Sequence, residues 1–137
     1  MAKFVLKTAT VTVNSVDLSD HISSVTIETS YDSVDVTAFG STYKEILAGL
    51  GDAKITLDFF QDFASAKVDA TLWPLVGTSF PVTVKPTSAS VSSTNPRYDM
   101  TGTLLTYNPL AGNVGEASTT SVEIVNASST GLTRNTT

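Results

Sequence analysis

One stretch, Lys54 to Gly77, constrains the fold most, because its hydrophobic period changes in the middle. Up to Phe59 apolar and polar residues alternate, which is the period of a half-buried strand. After Asp62 the apolar residues fall at helical spacing and form two stripes on roughly opposite sides. The first stripe comprises Phe63, Ala66, Ala70 and Trp73, and the second comprises Val68, Leu72 and Leu75. A helix that is apolar on two sides needs two partners. We expect one to be its own sheet, and we hypothesise that the other is a neighbouring chain.

The rest of the chain is dominated by strand-like alternation. Pro74 should kink or end the helix because it lacks an N–H, and Gly77 suits the C-terminal cap. Alternation predicts strands at Phe4–Val13, Val25–Tyr31, Phe80–Val84, Tyr98–Tyr107 and Val122–Ile124, and a short strand that begins at Val34 and ends at Phe39-Gly40. The predicted fold is therefore mainly β: an antiparallel β-sandwich or partial barrel with one flanking α-helix. The 137 residues suit a single domain, and we expect the polar tail 128–137 to be loose unless a partner holds it.

Composition limits the classes of function. Charged residues make up 15% of the chain, below the usual share of about 25%. This fits either a protein that hides much of its surface against other chains or a soluble sandwich with a hydroxyl-rich surface. The net charge of −5 argues against a protein that grips nucleic-acid phosphates. The absence of cysteine excludes disulfides and thiolate metal sites. No apolar run approaches transmembrane length, so we expect no membrane anchor and a protein made in the cytoplasm.

The segment Gly40–Asp52 shows no period and contains three glycines. Its apolar residues are Tyr43, Ile46, Leu47 and Leu50. A loop that carries such side chains is expected to find apolar cover on this chain or on another. We interpret this segment as the contact loop of the protein.

Residue types that support catalysis or metal binding are present but lack the required constellations. His21 is the single histidine and lies in a polar turn, so a metal site is not expected. The carboxylate pairs Asp17/Asp20, Asp32/Asp35 and Asp58/Asp62 lie in or beside turns, where Asp usually accepts backbone hydrogen bonds. No nucleophile, base and orienting group come together in the sequence. We predict a protein that is not an enzyme and uses no cofactor or metal.

Several segments together resemble the major tail tube protein of long-tailed (siphovirus-type) bacteriophages. The similarity is one of order and spacing and spans about Val11 to Val125. The segments that carry it are Asp35–Gly40 (DVTAFG), Gly49–Asp52 (GLGD), Phe60–Phe63 (FQDF), Val68–Gly77 (VDATLWPLVG), Asn95–Tyr98 (NPRY) and Asn113–Glu116 (NVGE). The helix segment is the most specific of these.

This resemblance implies a structural virion protein of the phage tail. Six copies would form a ring whose inner strands close into one barrel, and rings would stack into a hollow tube through which DNA passes without specific binding. The segment Gly40–Asp52 and the termini would bridge successive rings. The implied partners are further copies of the chain, the tape measure protein, the tail terminator and the distal tail protein, with assembly in the host cytoplasm.

Acidic side chains on polar strand faces are the natural lining of such a channel. Duplex DNA carries a negative charge every ~1.7 Å of its axis, so inward Lys or Arg would trap it and acidic or hydroxyl groups would repel it. The candidates for this lining are Glu28, Asp35, Asp58, Asp99 and Glu123. Alternation shows that each residue lies on a polar strand face, but not whether that face lines the channel or meets the outer solvent.

Three other functions remain open from the sequence. The chain could be another virion ring or decoration protein, such as a tail terminator or head-decoration protein. It could be the tube subunit of a contractile or type VI-like injection system. It could also be a carbohydrate-binding β-sandwich module, which should be monomeric and expose an aromatic platform.

Overall fold

The computed structural model describes residues 3–137, and within that range the chain forms one antiparallel sheet and one short helix. The strands are β1 (Thr10–Val13), β2 (Val16–Asp17), β3 (Ile22–Asp35), β4 (Ile46–Phe60), β5 (Ser79–Lys85), β6 (Arg97–Leu104), β7 (Thr119–Asn126) and β8 (Thr133–Asn135). The helix α1 spans Val68–Leu72. The order across the sheet is β2-β1-β5-β6-β7-β4-β3, and β8 pairs with β6. The sheet curls around a core without closing, which confirms the predicted sandwich or partial barrel.

The core lies on one face of this sheet, as the alternation predicts. Alternate residues of β1, β4, β5, β6 and β7 are buried in a single cluster, and α1 contributes to the same cluster. The largest fully buried side chains are Phe59, Leu18, Ile55, Leu57, Leu72, Leu104 and Ile124. Gly102 of β6 is needed for close packing, because a Cβ there would overlap the Cγ2 methyl of Ile124. Burial on this face is the main stabilising term of the fold.

The helix is much shorter than the predicted one. Only Val68–Leu72 is α-helical, and a 3₁₀ turn over Trp73–Leu75 follows it. Ala66 has a φ of +60°, in the left-handed region, so no helix can run through it. At the other end Pro74 lies in the 3₁₀ turn, and Gly77 follows with a φ of +80°, as a helix-terminating glycine does.

The strand boundaries differ from the prediction at β1 and at β3. β1 starts at Thr10, and residues 4–9 form no strand. The strand predicted at Val25–Tyr31 and the one predicted to run from Val34 to Phe39-Gly40 are one long strand, β3, which ends at Asp35. A β-bulge between Tyr31 and Ser33 shifts its register with β4. Pairing with β4 along its whole length explains why β3 continues through the Asp32–Ser33 pair that suggested a turn.

The C-terminal segment is also more ordered than predicted. β8 pairs with β6 in the register Arg97↔Asn135 and Asp99↔Thr133. Residues 133–135 of the polar tail are therefore paired within the chain itself. A three-residue strand among Ser and Thr leaves too little pattern in the sequence to reveal this pairing.

Candidate assembly surfaces

The face of the sheet opposite the core is polar, and it brings together three of the five predicted acidic residues. Glu28 of β3, Asp58 of β4 and Glu123 of β7 lie on three adjacent strands. Their cross-strand partners are Lys54 for Glu28, Ser121 for Asp58 and Thr56 for Glu123. We call this surface, from β3 across β4 to β7, the polar face. Asp52, which pairs with Ser30, extends it and was missed by the sequence reasoning.

The polar face has a negative balance. Lys54 Nζ lies 3.9 Å from Glu123 Oε2, a distance typical of a weak exposed ion pair. The remaining positions on the polar face are mainly hydroxyl side chains: Ser24, Thr26, Ser30, Thr56, Thr119 and Ser121. Such a surface holds water and offers phosphate groups little to bind.

The other two acidic candidates have local roles. Asp99 shares the alternation of the polar face, but Arg97 Nε donates to its carboxylate at 3.0 Å and Asn135 Nδ2 also donates to it. Its charge is thus paired and partly covered by β8. Asp35 lies at the far end of β3, where its Oδ1 accepts the Thr37 N–H at 2.9 Å. Hydrogen bonds from Thr37 lower the pKa of the Asp35 carboxyl. Along β3, Asp35 has the opposite alternation to Glu28, so it does not join the polar face.

A two-stranded ribbon projects from the sheet. β7 pairs with β4 only between Lys54 and Phe60, so the part of β4 before Lys54 and the matching part of β3 pair only with each other. At about 3.3 Å per residue, Thr29 to Asp35 alone spans roughly 20 Å. We call residues 29–53, which include the connecting loop 36–45, the ribbon. The predicted contact loop was therefore wrong in form, since Ile46, Leu47 and Leu50 lie in β4 and only Tyr43 lies in the loop.

The ribbon exposes its apolar side chains. Tyr43 is 87% exposed and Leu50 is 83% exposed, and Ile46 and Leu47 are also exposed. The structure adds exposed residues that the sequence reasoning did not select: Tyr31, Val34, Val36 and Phe39. An isolated two-stranded ribbon is at best marginally stable in water, and apolar clusters of this kind mark contact surfaces.

The two predicted apolar stripes of the helix differ in burial. Val68, Leu72 and Leu75 are buried in the core. The other stripe is exposed, with Phe63 at 59% and Trp73 at 64%, and Phe63 and Ala66 precede the helix altogether. Ala70 is exposed as well. The sheet thus covers one stripe, and the hypothesis that a neighbouring chain covers the other stays a prediction.

A hydrogen-bonded network fixes the segment before α1. Gln61 Nε2 donates to Tyr107 Oη at 2.9 Å and to the Pro109 carbonyl at 2.6 Å. Tyr107 Oη in turn donates to Asp69 Oδ1 at 2.9 Å. Burial is the largest cause that raises the pKa of Tyr107 to about 12. This network joins the end of β4, the first turn of α1 and the loop after β6.

His21 takes part in a second network, which the sequence reasoning missed. Its Nδ1 lies 2.7 Å from Asp20 Oδ1, and its Nε2 lies 2.8 Å from Asp62 Oδ2. Hydrogen bonds that the ring donates to the carboxylate of Asp20, and next to that of Asp62, raise the pKa of His21. Asp62 lies 41 residues from His21 in the chain, so no local pattern could have revealed the contact.

Within residues 3–137, no group of three or more His, Asp or Glu side chains is placed to hold a metal ion. In the same part of the chain, no helix combines the length and the apolar character that crossing a membrane requires.

This chain is similar to known proteins in its fold. No family model and no curated protein matches the sequence. Among solved structures, a chain in the virion of the native gene transfer agent particle aligns with a TM-score of 0.73 at 14% identity, over 93% of this chain and 95% of that one. A chain in the tail of the empty gene transfer agent particle, a structure computed with C6 symmetry, gives 0.65 at 17% identity over 82% and 81%.

A third similar structure belongs to an extracellular contractile injection system. A chain in the sheath/tube terminator of the extracellular contractile injection system PVC, in the extended state, gives a TM-score of 0.74 at 10% identity over 98% of both chains. The chain therefore shares the fold of proteins found in phage-like tails and injection assemblies.

Proposed function

We propose that this chain is the tail tube subunit of a long-tailed, phage-like particle. Six copies form a ring, rings stack into a hollow tube, and DNA passes through the channel without specific binding. Its partners are further copies of itself. Its other partners are the terminator and distal tail proteins at the tube ends and the tape measure protein in the lumen. The C6 symmetry of the similar gene transfer agent tail supports the ring of six.

The exposed apolar ribbon is the observation that carries this proposal. The fold is one that occurs in tail particles, and the ribbon adds an apolar surface that residues 3–137 leave uncovered. A surface of this kind that contacts a different surface on the next copy makes a heterologous contact, which generates rings or filaments. The ribbon therefore serves as the bridge between successive rings.

The polar face lines the channel in this proposal. Its Glu28, Asp58 and Glu123 repel the phosphates of passing DNA, and its hydroxyl groups keep a layer of water on the wall. The Debye length is about 8 Å at physiological salt, so the repulsion acts close to the wall and does not block the channel. Because α1 packs on the core side of the sheet, this orientation places α1 toward the outside of the tube.

A second candidate function is a subunit of a contractile injection assembly, either its tube or its terminator. The similarity to a chain of the PVC sheath/tube terminator favours it. A tube subunit polymerises lengthwise in both systems, whereas a terminator forms a single ring. A tube that belongs to a contractile system would in addition bind a sheath protein on its outer surface.

Negative-stain electron microscopy of the purified chain over a range of concentrations tests the proposal. We expect hollow tubes of stacked rings. Single rings of fixed thickness would contradict the tube assignment and support the terminator. A chain that stays single even when preformed tail ends are added as seeds would contradict both, and would direct attention to a binding module.

Labelling of introduced cysteines provides a second test, because the natural chain has none. Thr56→Cys places a thiol in the middle of the polar face, and Ser88→Cys places one in the exposed loop between β5 and β6. A bulky maleimide should label both variants before assembly. After assembly it should label the Ser88→Cys tubes fast and the Thr56→Cys tubes slowly. Equal labelling of both kinds of tube would contradict an inward polar face.

A further inference from the structure

His21 stands out because both of its ring nitrogens meet a carboxylate. The Nδ1–Asp20 Oδ1 distance is 2.7 Å and the Nε2–Asp62 Oδ2 distance is 2.8 Å. The His21 side chain is only 18% exposed, and that of Asp62 is 30% exposed. None of the proposed assembly contacts uses this group.

The geometry specifies the protonation state of the ring. A neutral imidazole has one N–H and one lone pair, whereas the imidazolium donates from both nitrogens. An ionised carboxylate only accepts hydrogen bonds. Two carboxylates, one at each nitrogen, are therefore satisfied together only by the charged ring. Loss of the proton would leave a nitrogen lone pair directed at a carboxylate oxygen, which is repulsive.

The contact joins two distant parts of the chain. Asp20 and His21 belong to a 3₁₀ turn, Ser19–His21, that leads into β3. Asp62 organises the segment before α1: its Oδ1 accepts the Ala64 N–H at 2.8 Å and its carbonyl accepts the Asp69 N–H at 3.1 Å. Asp62 thus shapes the turn from which Phe63 projects into solvent.

We propose that His21 is a pH-dependent latch, in which the charged imidazolium bridges Asp20 and Asp62 and holds the segment 62–67 against the turn before β3. When the ring loses its proton the bridge opens at Asp62, and the segment that displays Phe63 loosens. The latch belongs to the folded chain itself and does not require assembly. The test of the latch is therefore independent of the test of the tube.

The direction of the pH dependence follows from the groups that surround the ring. The hydrogen bonds of Asp20 and Asp62 raise the pKa of His21 above its ordinary 6.5. The latch therefore contributes its full stability below pH 6.5 and loses it as the pH rises through the raised value. The pKa values of both carboxyls are lowered from 3.8, with Lys67 as the other nearby charge. On the acid side the latch persists until these carboxyls take up protons.

Hydrogen–deuterium exchange read by mass spectrometry tests the latch in the full chain, whether single or assembled. The slow exchange of the imidazole C2 proton reports the pKa of a histidine, and the chain has one histidine. We expect a pKa above 6.5 in the natural chain and a lower value in both Asp20→Asn and Asp62→Asn. Asp58→Asn is the matched control, since Asp58 does not contact His21, and it should leave the value unchanged.

Backbone exchange supplies the readout of opening. The peptide that contains Ala64 and Asp69 should lose protection, relative to the intrinsic rate, as the pH rises through the pKa of His21. The natural chain alone can overturn the proposal, even if a variant fails to fold. The proposal would be overturned by a His21 pKa at or below 6.5, or by protection in residues 62–69 that does not change as His21 titrates.

Discussion

Neighbouring residues of α1 and the turn after it differ sharply in burial. Leu72 is fully buried, whereas Trp73 is 64% exposed. Both are large apolar residues, and both belong to stripes that the sequence marks as apolar. The difference assigns the two side chains different tasks: Leu72 holds the fold together, and Trp73 is available for contact with another molecule.

This matched pair gives a prediction at the scale of the residue. Leu72→Ala should lower the free energy of unfolding by about 2–5 kcal/mol, because it removes buried surface and leaves a cavity. Trp73→Ala should change the stability of the unassembled chain by less than about 1 kcal/mol, because the side chain is mostly in water. Denaturant unfolding monitored by circular dichroism measures both. Equal losses in the two variants would contradict the assigned burial.

The strands follow from the sequence because period-two alternation is a local signal that the packing of one sheet face enforces. The buried Ile55, Leu57 and Phe59 were predictable for this reason. The length of the helix was not, because the left-handed φ of Ala66 comes from a turn that Asp62 organises. The form of the ribbon was not predictable either, since its strands lack a buried face to impose alternation.

The candidate surfaces were predictable in part for a related reason. Alternation assigns Glu28, Asp58 and Glu123 to polar positions of three strands, but only the sheet order shows that these strands are neighbours. Asp99 follows the same alternation, yet β8 covers it. The contact between His21 and Asp62 spans 41 residues and depends wholly on the tertiary fold.

The ribbon gives a prediction at the scale of the element. The double variant Leu47→Asp, Leu50→Asp should fold normally, because both side chains are exposed in the single chain. It should fail to form tubes, because charges in an apolar contact pay an uncompensated desolvation cost. Sedimentation and electron microscopy measure assembly, and thermal unfolding of the single chain verifies the fold.

The control for this variant adds the same charge elsewhere. Ser88→Asp and Ser93→Asp lie at exposed positions in the loop between β5 and β6, and neither native hydroxyl makes a hydrogen bond within the described chain. This control should still assemble. If the ribbon variant formed tubes in the same yield as the natural chain, the ribbon would not be a contact between copies.

At the scale of the whole molecule the sheet separates two sides of different character. One side carries the core and α1, and the other is the hydroxyl-rich polar face with its excess of acid groups. The ribbon extends beyond both. In the proposed tube the polar face is turned to the channel and the helix outward, and the ribbon reaches the next ring.

The charge of the polar face gives a prediction at this scale. The triple variant Glu28→Lys, Asp58→Lys, Glu123→Lys should form tubes that retain short duplex DNA on sedimentation, and added salt should release it. The neutral triple variant Glu28→Gln, Asp58→Asn, Glu123→Gln should assemble without retaining DNA. Tubes of the lysine variant that retain no DNA at low salt would contradict a channel lined by this face.

The most direct test of the central claim is a cryo-electron microscopy density map of the assembled natural chain. The account predicts a hollow tube of stacked sixfold rings, with Glu28, Asp58 and Glu123 on the inner wall and the ribbon of each copy in contact with the next ring. A tube with this face on its outer wall, or a channel with a net basic lining, would contradict it.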